Sequence, residues 1–267
     1  MSRSFTRLRS ALPAVLAAGA MLAAGGAGAA TLVGLTADNH LVRIDTESRR
    51  AEAPVAVRGA EGRLLGIDVR PSDGKLYGVT DSNQIVTLDP GTGAATAVSR
   101  LSMPFQAGGR ATVDFNPVAD RLRLMGQGGM NFRINVATGE VSRDGELKNQ
   151  PGSPGAGNAP RVVAGAYTNS VAGTQATALF TVDTGTRQLN LQAPPNDGVQ
   201  QPKGEIAATL PAGVAFDILA DGQGGNAAFL LAGAALHGVN LDTGRATLTG
   251  QVTGLPASEV IDIAAMR

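Results

Sequence analysis

The chain has 267 residues, 22 basic and 22 acidic side chains, no cysteine and no tryptophan. Zero formal charge gives nucleic acid or an anionic membrane no electrostatic reason to bind. The missing cysteines exclude a disulfide framework, so any fold must rest on its own core.

The first element is "MSRSFTRLRS", with Arg3, Arg7 and Arg9, followed by the apolar run "ALPAVLAAGAMLAAGG" and the small-residue sequence "AGAA". This order is that of a secretory leader cut after Ala29, and Pro13 and the glycines make the run a poor membrane span. No cysteine follows it to carry a lipid. The expected organisation is therefore a leader over 1–29 and one domain over 30–267, exported to the periplasm or secreted, with no stable membrane insertion after cleavage. Removing the three leader arginines leaves a mildly acidic domain.

Beyond the leader, short alternating runs bounded by turn residues replace any helical period, as in "KLYGVTDSNQIVTLDPGTGAATAVS", which indicates an all-β protein. One element recurs five times, a strand ending in an acid or amide and a turn: "LVRIDTES" (Asp45), "IVTLDPGTG" (Asp89), "FRINVATG" (Asn135), "LFTVDTGT" (Asp183) and "GVNLDTGR" (Asp242). Asx side chains bond their own backbone two residues on and glycine accepts positive φ, so each is a good hairpin turn. A second element alternates with it: "LLGIDVRPSDG", "ATVDFNPVAD", "RVVAGAYTNS", "AFDILADGQG" and "EVIDIAAMR". Two phases of one long period, each unit holding three or four strands, predict a five-bladed β-propeller. The chain ends with an inner-strand element that has no hairpin after it and begins with a hairpin that has no inner strand before it. Pairing the C-terminal strand with the N-terminal blade closes the ring and hides the sheet edges. The Pro/Gly-rich stretches "NQPGSPGAGNAP" and "LQAPPNDGVQQPKGEI" are expected to be loops between blades.

Aligning the second elements puts Asp68, Asp114, Asp217 and Asp262 at one position, with Gly165 in the remaining copy. Inner strands surround the channel of a propeller, so these acids form a partial ring there. Two carboxylates about 7 Å apart repel by roughly 2 kcal/mol at an effective dielectric near 20. Two readings follow: each aspartate accepts backbone N–H groups of its own or the next blade, or together they hold a hard cation such as Ca²⁺. In the third copy Arg121 and Arg123 share a strand face near Asp120, Asn131 and Arg133, where they pair with acids or hold an anion. His40 and His237 occupy matching positions, read as exposed turn residues. No nucleophile elbow, phosphate loop or dinucleotide fingerprint occurs, so no catalytic residue is nominated.

The segments "VDFNPVADRLRLM", "MNFRINVATGEV", "AGAYTNS", "LFTVDTGTRQLNLQAPPNDG" and "LVGLTADNHLVRID" together resemble a family of exported bacterial proteins known only as a domain of unknown function with propeller-like repeats. The likeness spans the whole chain after the leader, with mild departures at Phe132 and in the Gly/Pro-rich insert. It implies the fold and export and transfers no activity. The matching polar positions are Asp114, Asn116, Asp120, Arg121, Arg123, Asn131 and Arg133, with Asn196 and Asp197 of the "PPNDG" segment. The functional expectation is a non-enzymatic module that binds a protein, a small ligand or an ion. The alternatives are a hydrolase or lactonase using a channel cation, and a purely structural surface module.

Overall fold

The computed structural model describes Met1, residues 30–206 and residues 209–267. The expected leader therefore lies, but for Met1, outside the described residues. The rest folds into five antiparallel sheets. Blade 1 runs outward from Val260–Met266 through Thr31–Thr36 and His40–Asp45 to the short strands Arg50–Ala51 and Val55–Ala56. Blade 2 contains Leu64–Val69, Leu76–Thr80, Gln84–Leu88 and Ala95–Arg100; blade 3 contains Ala111–Asn116, Arg121–Gly126, Asn131–Ile134 and Val141–Arg143. Blade 4 contains Val162–Tyr167, Leu179–Asp183, Gln188–Gln192 and Val199–Glu205, with Lys148–Asn149 added in parallel outside. Blade 5 contains Val214–Ala220, Asn226–Ala232, Ala235–Val239 and Ala246–Gln251. The ring is a five-bladed β-propeller, and the C-terminal strand closes it by pairing with the first, Thr31 opposite Met266 and Leu35 opposite Asp262.

The five hairpin turns share one construction. The side chains of Asp45, Asp89, Asn135, Asp183 and Asn240 accept N–H groups two or three residues on, at 2.6–3.2 Å. The fifth turn residue has positive φ in every copy: Arg49, Gly93, Gly139, Arg187 and Gly244. In blade 5 the capping residue is thus Asn240, two positions before the expected Asp242; the turn there reads Asn-Leu-Asp-Thr-Gly, in register with Asp-Pro-Gly-Thr-Gly of blade 2. Three of the turn glycines lie against the outer strand of the preceding blade. A Cβ would meet Ala56 O at 2.2 Å from Gly93, Arg100 O at 1.7 Å from Gly139 and Gly204 O at 2.4 Å from Gly244.

Because strand side chains alternate, each inner strand faces both neighbouring blades. Between blades 2 and 3, Tyr77, Val79 and Ile85 meet Val113, Phe115, Leu124 and Phe132, with Tyr77 edge-on to Phe115 at 5.3 Å. Similar apolar clusters fill the seams between blades 1 and 2, 4 and 5, and 5 and 1. The seam between blades 3 and 4 differs, holding only the small cluster of Met125, Leu147, Val162, Tyr167 and Leu179. Neither Pro/Gly-rich stretch is the expected loop between blades: 150–160 joins the outermost strand of blade 4, Lys148–Asn149, to its inner strand Val162–Tyr167, and the "PPND" segment is the short 3₁₀ turn Pro195–Asp197 inside the same blade.

Candidate functional site

All four ring aspartates are buried, and each bonds the next blade. Asp262 Oδ2 accepts Ile67 N at 2.9 Å, Asp68 Oδ2 accepts Phe115 N at 2.7 Å, Asp114 Oδ1 accepts Tyr167 N at 2.9 Å and Asp217 Oδ2 accepts Ala265 N at 2.6 Å. Asp68, Asp217 and Asp262 use their second oxygen on the N–H of the following residue. These bonds are the backbone role the repeated acid suggests, a carboxylate staple from blade to blade. Among the described residues, only the step from blade 4 to blade 5 lacks one. There Gly165 faces back toward blade 3, its Cβ direction meeting Thr112 and Thr181, and its neighbours Ala164 and Ala166 pack in the apolar cluster shared with blade 5.

The four acids are not equivalent. Carboxylate oxygens of Asp68, Asp114 and Asp217 lie within 4.8 Å of one another, a grouping that could hold a metal ion and that does not include Asp262. At that separation a fully ionised pair repels by about 3 kcal/mol at an effective dielectric near 20. Burial pushes Asp68 and Asp114 well above the ordinary carboxylate range, with repulsion from neighbouring aspartates adding to it. Burial also raises Asp217, to about 6, against the pull of its two backbone bonds. Asp262 is raised by burial as well, while the bond from Ile67 and the charge of Arg110 pull it down.

Arg110 closes the other end of the ring. From the start of the blade 3 inner strand its guanidinium donates to Ala212 O at 2.8 Å, Val214 O at 2.9 Å and Ile261 O, spanning to blades 5 and 1. The channel is thus asymmetric, with a cation at the amino-terminal ends of the inner strands and three carboxylates toward their carboxyl-terminal ends. Over those ends opens a pocket of about 350 Å³. Asp68 and Asp217 reach it, Val69, Ile218 and Met266 give apolar wall, and Arg70 and Arg267 stand at it. Asp114 is the member of the triplet with an oxygen, Oδ2, that takes no hydrogen bond from the described residues.

The remaining candidates fall into separate places. Arg123, 1% exposed, donates to Tyr167 Oη (3.1 Å), Asn131 Oδ1 (2.8 Å), Asp144 Oδ2 (2.6 Å) and Asn196 Oδ1 (2.9 Å). Arg133 grips both oxygens of the same Asp144, at 2.8 and 2.9 Å, and Asn131 donates to Gly145 O and Pro195 O. Arg123, Asn131, Arg133 and Asn196 are therefore brought together, as a bolt across the blade 3–4 seam whose donors are largely satisfied internally. Arg121, two residues from Arg123, is exposed and bonds only backbone carbonyls. Asp120 pairs with Arg70 of blade 2, not with either strand arginine, at 2.8 and 2.5 Å. Asn116 caps its own turn by accepting Val118 N and Ala119 N, and Asp197 is exposed with no side-chain hydrogen bond among the described residues. His237 is buried on a strand, not exposed in a turn. The sequence reasoning missed Asp144, Arg110 and Arg70, none of which sits on a repeated position.

The fold and the channel define the chain as a closed five-bladed propeller with three buried, mutually close aspartates in its channel. A family model described as "Domain of unknown function (DUF4394)" matches residues 31–264, and the chain belongs to that family. No curated protein matches the sequence. Among solved structures, one titled as a nidogen/laminin complex aligns at TM-score 0.50 and 11% identity, over 88% of this chain and 98% of that one. A protein of unknown function from Bacteroides caccae aligns at 0.45 and 11%, over 85% and 74% of the two chains. One from Bacteroides thetaiotaomicron aligns at 0.49 and 14%, over 90% and 65%. At 11% identity the likeness to the nidogen/laminin structure speaks to the fold alone.

Proposed function

We propose that the protein is an exported, non-enzymatic binding propeller that takes a positively charged ligand, either an ion such as Ca²⁺ or a small molecule with an ammonium group, at the channel mouth. The observation that carries this is the pocket of about 350 Å³ lined by Asp68 and Asp217, whose carboxylate oxygens lie within 4.8 Å of one of Asp114, while Arg70 at the same pocket is already paired with Asp73 and Asp120, Arg267 donates to Ala220 O and Arg110 is at the far end beside Asp262. A positive group seated there favours the ionised form of all three carboxylates against the burial that raises them, and against the mutual repulsion that adds to it at Asp68 and Asp114. Asp114 Oδ2 offers it a free acceptor, and the apolar wall suits an organic body. The leader sequence supports export.

The test is thermal unfolding of residues 30–267 after chelation, then with Ca²⁺, Mg²⁺ or a primary alkylamine added, for the wild type and Asp114→Asn. The midpoint of the wild type is expected to rise with at least one cation, by an amount that falls as pH drops below about 6, because ligand and proton compete for the same oxygens. Equal midpoints under all conditions would remove the proposal.

The ligand-free protein carries its own pH signature. Below the ordinary carboxylate pKa of 3.8 the triplet is protonated whether folded or unfolded. As pH rises, the unfolded chain ionises first and the folded one resists, so the triplet's contribution to stability falls from pH 3.8 upward and levels off above the folded values. For Asp217, at about 6, the loss is on the order of 3 kcal/mol. Asp114→Asn keeps the acceptor for Tyr167 N and places Nδ2 where no backbone donor opposes it. It should therefore stabilise the ligand-free protein at pH 7 by about 1–2 kcal/mol. Asp68→Asn must aim Nδ2 at either Val69 N or Phe115 N and should destabilise by about 1–3 kcal/mol. Urea unfolding at pH 5 and pH 7 measures both.

The same pocket favours a second reading, in which the bound cation acts as a Lewis acid on a lactone or ester. Metal-dependent turnover that disappears in Asp114→Asn would establish it.

A further inference from the structure

A metal ion and an organic ammonium make different demands on the channel mouth, and the oxygens of the triplet meet them unequally. Asp68 and Asp217 each hold two backbone N–H groups, those of Val69 and Phe115 and those of Ile218 and Ala265, and Asp114 holds Tyr167 N through Oδ1. Asp114 Oδ2 takes no hydrogen bond from the described residues. A hard divalent cation needs roughly six to eight oxygens around it. Beyond the carboxylates, the one side-chain oxygen among the described residues that line the pocket is the Ser170 hydroxyl.

A primary ammonium needs three acceptors. A carboxylate oxygen that already accepts one N–H keeps a lone pair for another donor, so all three aspartates remain usable. The ammonium N–H bonds diverge tetrahedrally, and acceptors about 2.8 Å from the nitrogen then stand about 4.6 Å apart. That spacing falls inside the 4.8 Å within which Asp68, Asp114 and Asp217 each offer an oxygen. The walls suit an alkyl body: Val69, Val171, Ile218, Leu219 and Met266 line the pocket, and no aromatic residue does. Aromatic faces are what recognise a quaternary ammonium, which has no N–H to donate.

We infer, resting on the reading of this mouth as a cation site, that its ligand is a small primary amine. The three N–H donors sit on Asp68, Asp114 and Asp217, and the alkyl chain lies against the apolar wall. The same arrangement discriminates against metal ions and against fully substituted ammonium groups of equal charge.

Isothermal titration calorimetry of residues 30–267 at pH 7 with butylamine, butyltrimethylammonium and Ca²⁺ tests this. Butylamine is expected to bind tighter than either of the others by about tenfold or more, the worth of one charge-assisted hydrogen bond. Its affinity should rise about fourfold per methylene from ethylamine to butylamine. Binding should be lost in Asp114→Asn, a variant that keeps the acceptor for Tyr167 N but can turn its amide N–H₂ toward the ammonium. Ca²⁺ binding tighter than the amine, or butylamine and its quaternary analogue binding alike, would overturn the inference and leave the cation site standing. No binding by any of the three would remove both.

Discussion

Replacing Arg123 by alanine is expected to destabilise the protein by about 3–5 kcal/mol, the range for breaking a buried ion pair by removing one partner. Arg123 and Asp144 are 1% and 5% exposed, and the guanidinium holds four groups drawn from both sides of one seam. Its loss strands Asn131 Oδ1 and Tyr167 Oη in the interior and releases the side chain of Asn196, one of the points at which the Pro195–Asp197 turn is tied to blade 3. Arg133 keeps Asp144 paired, which places the effect at the lower end of that range. Arg121→Ala, on the same strand but exposed and bonded only to carbonyls, should change stability by no more than about 0.5 kcal/mol. Equilibrium urea unfolding of the two variants side by side separates the bolt from general loss of charge.

A second large effect is expected at Gly139. Alanine there must adopt φ near 76° and put its Cβ 1.7 Å from Arg100 O, a contact with backbone that no side-chain rotation relieves. The turn must then move away from blade 2 and give up the bond from Ser102 N to Gly139 O, 2.8 Å long. A loss of about 3 kcal/mol or more follows from strain and broken contact together. Gly74 is the internal comparison, since its φ of 70° is similar and a Cβ there meets nothing within 4 Å. Gly74→Ala should cost only about 1 kcal/mol, the price of positive φ alone. Similar losses for both would show that the close approach between blades carries no weight.

Much of this architecture is legible in the sequence because a propeller writes its period directly. Each blade repeats the same strand alternation and the same capped turn, so five copies, the closing strand and the buried inner-strand acids can be read without coordinates. The reading slips where a side chain's facing depends on tertiary packing. Gly165 aligns with the acids by counting, yet its Cβ direction points at Thr112 of blade 3, and only the fold reveals that. Asp242 looks like the turn acid of its repeat because it precedes Thr-Gly, whereas Asn240 makes the bonds. The bolt around Arg123 was half visible: Arg123, Asn131, Arg133 and Asn196 stand out as polar residues in strand-like surroundings, but Asp144 sits in an unremarkable "SRDGEL" run and joins them through space. The distinction between Asp262 and the other three acids was not legible at all. It depends on Arg110 reaching across the ring, a contact between residues 110 and 261 that no local pattern encodes.

The central claim is that Asp68, Asp114 and Asp217 form an electrostatically strained cluster that a positive ligand relieves. Carbon-13 NMR of the aspartate carboxylates in residues 30–267, titrated from pH 3 to 8 with and without Ca²⁺ or a primary alkylamine, tests it most directly. The account predicts ring carboxylates that ionise late, Asp217 near 6 and Asp68, Asp114 and Asp262 well above the ordinary value, and a downward shift of Asp68, Asp114 and Asp217 when the right cation is added. Triplet carboxylates that titrate near the ordinary value of 3.8, or that ignore every cation offered, would contradict it.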